Sequence, residues 1–288
     1  IAVMNGAALL MENVDFFTNL SGICIHNSTV EIEDSKVQAL GFCAVFTNRG
    51  CEEADIVVRG SRISAHNEEN GDNAGLFFGA KGSVVVEDSE VVGDIQAVVL
   101  RSGEHEVRNS RLVAMGLNDD SSSYENTDWN DTINIPLATL VVGNRYSYDY
   151  LNPTHVVLEN VVLDTPEKNS AGLGYYAMYV YQNDWTNTVK VGGSVEYVGN
   201  PRVNLGDMNY ATFAVDKVYV SDFSQFQCVI SEGRIPNIVL LENIDVSGWG
   251  LLFYYDTSFD LNGKTLTVYY INVEDGADVA FHNGKLVA

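Results

Sequence analysis

Four ten-residue stretches of this chain nearly repeat one another: TVEIEDSKVQ (29–38), DIVVRGSRIS (55–64), SVVVEDSEVV (83–92) and NIVLLENIDV (237–246). Each alternates apolar and polar residues and then reaches an Asn, Asp or Gly. Period-2 alternation marks a strand with one buried face. The residue that follows is of the kind that tolerates a left-handed backbone at a sharp bend. Aligned on it, the copies place that bend residue at Asn13, Asp34, Gly60, Asp88, Asn109, Asn160, Asp222 and Asn243, with a weaker copy at Gly193, at spacings of 21, 26, 28, 21, 51, 33, 29 and 21. The minimum is 21, and the longer spacings read as the same unit with insertions.

Two and four residues before the bend the side chains are mostly apolar, as at Val30/Ile32, Ile56/Val58, Val84/Val86 and Val156/Leu158. Three residues after it they are apolar again, at Phe16, Val37, Ile63, Val91, Leu112 and Leu163. A second apolar strand follows each phrase, such as GLFFGA (75–80), QAVVLRSG (96–103) and YATFAVDK (210–217). A unit this short cannot bury its apolar face alone, but stacked copies can. The expected fold is therefore all-β: a parallel solenoid of about nine to ten coils spanning residues 1–288 as one domain, each coil rising ~4.8 Å.

The residue just before the bend tests this independently. It reads Glu12, Glu33, Arg59, Glu87, Arg108 and Glu159, so from Glu33 onward the sign alternates coil by coil. On stacked strands these side chains face one another, and opposite charges there are stabilising. Arg59 and Arg108 are accordingly expected to be ladder partners.

The bend-and-strand phrase, typified by VVVEDSEV, resembles the right-handed parallel β-helix proteins of the pectin-lyase-like superfamily over about residues 8–285. The closing DLNGKTLTVYYINVEDGADVAFHNGKLVA (260–288) resembles repeat units of bacterial surface proteins. The resemblance implies the right-handed sense and an extracellular or bacterial cell-surface, adhesin-like setting. It covers a superfamily that includes lyases, glycoside hydrolases, tailspikes and adhesins, so it leaves activity open. The characteristic lyase motifs do not occur, and Asp119–Asp120 is followed by no GHG or RIK.

Charge narrows the partners. Thirty-nine acidic residues against 16 basic ones give a net charge of −23. Nucleic acid needs a basic face, so it is a poor partner; a polyanionic glycan would be repelled without a bridging cation. No apolar run approaches the ~18 residues of a membrane span.

Four insertions fall in one slot of the repeat, between the bend strand and the long strand: 66–73, 116–136, 164–175 and 199–210, with a further excursion at 144–153. A common slot predicts a common edge, centred on 116–150. Its residues mix carboxylates and aromatics: Asp119, Asp120, Glu125, Asp128, Trp129, Asp131, Arg145, Tyr146, Tyr148, Asp149, Tyr150, Asp207 and Tyr210, with Tyr175, Tyr179 and Tyr181 on the adjoining strand. Aromatic faces stack on sugar rings and carboxylates bond their hydroxyls. The plain reading of these residues is a solvated polar loop; the leading functional expectation is a non-catalytic, adhesin-like surface module with this face open to carbohydrate. The alternative is a glycoside hydrolase, for which Asp128, Asp131 and Asp207 are the candidate catalytic carboxylates at the separations such enzymes use. No cofactor is expected; the oxygen-rich NDDSSSYENTDWND leaves calcium open without EF-hand spacing.

His105 takes an inward position and is expected to be structural, while His66 is expected to be a solvated loop residue. Cys24 and Cys43 are expected to stack, reduced, in adjacent coils, and Cys51 to be exposed. Neither end carries an amphipathic capping helix, so the chain is expected to be a fragment of a longer protein whose ends meet neighbouring domains.

Overall fold

The computed structural model describes the chain apart from residues 49, 67–72, 118–122, 127–130, 135, 144–152, 171, 173, 181–186, 192–194, 201–202, 205–210, 215–217, 221–222, 224–225, 227–229, 231–236 and 275. Three long sheets, all parallel, run side by side through residues 2–214. The chain visits them in rotation. Its first round is Ala2–Met4, Ala8–Glu12 and Asp15–Thr18; its fourth is Ala74–Phe78, Lys81–Glu87 and Glu90–Gly93. Each strand pairs with its counterpart one round earlier and one round later, as Lys81–Glu87 does with Glu53–Arg59 and Gly103–Arg108. This is a parallel β-helix-like solenoid.

The repeat residues fall where the alternation puts them. In the second sheet Val30, Ile56, Val84, His105, Val156 and Val189 form one in-register column, and all are buried. In the third sheet Val37, Ile63, Val91, Leu112 and Leu163 form another. β-branched side chains suit such columns, because their stiff χ1 holds each methyl pair against the copy above. Burying each one contributes about 1.5–3 kcal/mol.

The corner between these two sheets is the bend. Asn13, Asp34, Gly60, Asp88, Asn109 and Asn160 all have left-handed backbones, with φ between 46° and 56°. Each of the first five donates its N–H to the carbonyl of the residue before the bend in the next coil, at 2.8–3.1 Å. A second column sits one position on. Ser61 Oγ accepts from Ser35 N at 2.9 Å, Ser89 Oγ from Ser61 N at 3.0 Å, and Ser110 Oγ from Ser89 N at 3.1 Å. Each of these hydroxyls, like that of Ser35, donates to the carbonyl two residues back in its own coil at 2.6–2.7 Å. The serines thus satisfy backbone groups that a turn would otherwise bury unpaired.

The charged ladder also forms. Glu33, Arg59, Glu87, Arg108 and Glu159 are successive register partners. Arg59 lies 3.0–3.4 Å from Glu31, Glu33 and Glu87, and Arg108 pairs with Glu106 and Glu159.

From residue 218 the architecture changes. Val218–Val220, Asn237–Leu240, Thr257–Asp260 and Val279–His282 form one parallel sheet; Ile244–Phe253, Thr265–Val273 and Lys285–Val287 form another. One apolar cluster nevertheless runs from Val3 to Val268.

Four expectations are corrected. Bends at Asp222 and Asn243 would set Val218 opposite Val239, but Val218 pairs with Ile238 and Asn243 is not left-handed; Asn262 and Asn283 turn the last rounds instead. Ile238–Leu241 is an unbroken apolar run, which does not fix a register. The segment 199–210 is not one insertion, because Val203–Asn204 joins the first sheet and Ala211–Ala214 the second. Cys24 lies opposite Phe46 and Cys43 opposite Ala74, so the two do not stack. Cys51 is buried: its sulfur accepts from Asn27 N at 3.2 Å and lies 3.6 Å from the Glu53 carbonyl, which holds it beneath the turn. Burial pushes its thiol up, with the Asn27 and Glu53 bonds opposing.

Candidate functional site

The segments joining Arg62–Ala65 to Ala74–Phe78, Arg111–Ala114 to Ala138–Val142, and Val161–Thr165 to Tyr176–Val180 all leave the third sheet and enter the first. Most of the residues expected there lie outside the described ones: Asp119, Asp120, Asp128, Trp129, Arg145, Tyr146, Tyr148, Asp149, Tyr150, Tyr181, Asp207 and Tyr210. Glu125 and Asp131 lie on an antiparallel hairpin, Ser123–Asn126 with Asp131–Asn134. Glu125 pairs with Thr132 and Asn126 with Asp131, so the two acidic residues take alternate positions of the ladder.

Tyr175 was expected on the binding face. It is fully buried against Ile95, Ala114 and Leu137, and its hydroxyl donates to the Ile95 carbonyl at 2.9 Å. Burial pushes this phenol up, with the nearby Asp94 adding to the effect. A ring held this way fastens the edge and offers no face to a sugar. Tyr179 is half-buried, edge-on to Tyr176 at 5.9 Å.

His66 was expected to be solvated and solitary. Its Nδ1 instead lies 2.8 Å from Asp94, a carboxylate only 2% exposed, while the imidazole is 42% exposed. Asn73 Nδ2 donates to the same carboxylate at 2.6 Å, and Asn73 Oδ1 accepts from Asp94 N at 2.6 Å. Asp94 therefore ties His66 and Asn73 together. A carboxylate that fixes one imidazole nitrogen also sets the ring's tautomer and direction. The sequence signal was Asp94 itself, one coil above His66 in EVVGDIQ.

His105 is structural, as expected. Its Nδ1 accepts from Val84 N at 3.0 Å, its Nε2 donates to the Ser102 carbonyl at 2.7 Å, and the Phe78 ring stands edge-on at 5.2 Å. Burial lowers its pKa to about 4, outweighing the Ser102 bond, so it stays neutral.

Two surfaces were not anticipated. Over the bend column runs an open trough of about 940 Å³, lined by Asp34, Lys36, Arg62, Asp88, Glu90 and Arg111 among others. Its two arginines face anions: Arg62 pairs with Glu90 at 2.6 Å and Arg111 with Asp164. The second surface is in the last two rounds, where Trp249, Tyr254, Tyr255, Tyr269 and Tyr270 are all exposed. The signal was a doubled tyrosine, YY at 254–255 and again at 269–270, where alternation would turn one ring inward.

No family model, curated protein or solved structure matches the chain.

Proposed function

We propose that this chain is a right-handed parallel β-helix of the pectin-lyase-like type, of about nine to ten coils with its insertions on one edge. It serves as an extracellular or bacterial cell-surface module that holds carbohydrate without cleaving it. One observation carries the non-catalytic part. Most of the paired carboxylates among the described residues face arginines: Glu31, Glu33 and Glu87 with Arg59, Glu106 and Glu159 with Arg108, Glu90 with Arg62, Asp164 with Arg111. Hydrolysis of a glycosidic bond needs two carboxyls facing each other across the sugar, one of them a proton donor. A carboxylate whose oxygens are engaged by a guanidinium in its own wall is not free to reach a glycosidic oxygen.

The test is a glycan array run beside a hydrolysis screen, with Asp128→Asn and Asp131→Asn as controls. Binding without release of reducing ends is the expected result. Release of reducing ends that either substitution abolishes would replace this reading with a glycoside hydrolase.

A further inference from the structure

We propose that the outer face of the Ile244–Phe253/Thr265–Val273 sheet is a stacking platform for an uncharged glycan, centred on Tyr270. The inference rests on the reading of the chain as a carbohydrate-holding module, and it gives that module a site and a ligand class.

The platform is built by a glycine. Gly250 pairs with Tyr270 across the two strands, just past a register shift that begins at Val246. A Cβ placed on Gly250 would fall within the van der Waals shell of three atoms at the outer end of the Tyr270 ring, Cζ, Cε1 and Cε2, at nearly equal distances. Near-equal distances to Cζ and both Cε atoms put that point beneath the ring's face, not at its edge. The ring therefore lies flat on the backbone of Gly250. One face is held by the strand, and the residue remains 53% exposed. Glycine within a strand ordinarily weakens it, and its presence marks close approach of another group. Here that group is an aromatic ring with an outward face.

The surroundings select the ligand. Trp249 is 58% exposed, with the Phe223 ring at 6.2 Å, and Tyr254 and Tyr269 are 59% and 69% exposed. These are amphipathic rings, suited to a surface that is wet in one direction and apolar in the other. A run of exposed rings of this size marks an interaction site. Asp245 and Glu274 lie in the same stretch, and the whole chain carries −23. Anionic polymers and nucleobases on a phosphate backbone are repelled. A hexose ring is uncharged, offers a flat C–H face to an aromatic ring, and carries hydroxyls that Asn272 and Glu274 can bond.

The experiment measures retardation of the full chain in gels containing a soluble β-glucan, a mannan or polygalacturonate. Retardation by a neutral polymer and none by polygalacturonate is expected. Tyr270→Ala should weaken binding about tenfold, and Tyr270→Phe should preserve it. The sharpest variant is Gly250→Val, which removes no aromatic group but occupies the space under the ring, and should weaken binding as much as Tyr270→Ala. Circular dichroism and melting checks that these variants fold. If the Gly250→Val and Tyr270→Ala chains bind a neutral glycan as tightly as the wild-type chain does, the platform is refuted while the module reading stands. If the wild-type chain binds none of the polymers and no glycan on the array, both fall. Self-association lost in Tyr270→Ala without glycan binding would instead assign the face to a second copy of the chain.

Discussion

The three-sheet part and the last two rounds use the same covalent device, an Asn, Asp or Gly bend closing a coil, yet they treat their outer walls oppositely. Through residues 8–165 the outward positions of the second sheet carry a ladder of glutamates and arginines, and the corner is sealed by stacked serines. In residues 244–273 the outward positions carry rings, and Phe253, Phe259 and the partly buried Phe281 add stacked aromatics to the aliphatic pairs Ile244/Leu266 and Val246/Val268. A ladder of charges satisfied within the wall leaves little to offer a neutral ligand. A wall that leaves its rings uncovered does. A solenoid of this kind can separate the stretch that stabilises from the stretch that binds.

The comparison can be broken most severely in the cores. Phe259→Ala should cost about 3–5 kcal/mol and Ile56→Ala about 2–5. Coils couple mainly to their neighbours, so hydrogen exchange should show lost protection concentrated around 218–287 for the first and around 23–107 for the second. Uniform loss across both regions would erase the distinction. Acid comes next. His105 is neutral when folded with a pKa lowered to about 4, and its ordinary value is 6.5. The unfolded chain takes up this proton first, so the contribution is complete above pH 6.5 and is lost as pH falls toward 4, by about 3 kcal/mol. Stability measured against pH in His105→Gln should lack that segment of the curve. Ser89→Ala should cost about 1–3 kcal/mol, because it leaves the buried Ser61 N–H without its acceptor. Chemical denaturation reads this directly. The smallest effect belongs to the ladder: a double-mutant cycle on Arg59 and Glu87 should give a coupling of about 0.2–1 kcal/mol that fades in molar salt.

Much of the fold was legible because the inward positions before Asp34, Gly60 and Asp88 alternate cleanly, and a one-residue slip would turn every valine outward. Where alternation failed, so did register. Ile238–Leu241 is apolar throughout, and the bend was assigned to Asn243 although the repeated NGK at 262–264 and 283–285 marks the true turns. The recurring serine after the bend was visible as DS, GS and NS, but its meaning depends on which backbone groups the stack brings near it. The His66–Asp94 pair was harder still. The two residues are 28 positions apart, and only the coil length in that round makes them neighbours. Tyr175 shows the limit of composition: a tyrosine beside polar insertions reads as a binding ring until its hydroxyl is found on the Ile95 carbonyl.

The fold stands on coils that stack in register, and one distance tests that stacking. Glu33 and Glu159 are 126 positions apart in the chain but four strand steps apart in the ladder. Spin labels at these two positions, introduced through an unnatural amino acid so that the native cysteines do not react, can be measured by pulsed electron resonance. A narrow distribution near ~19 Å, four steps of ~4.8 Å, is the predicted result. A broad distribution, or one centred well beyond ~30 Å, would contradict the stacked column.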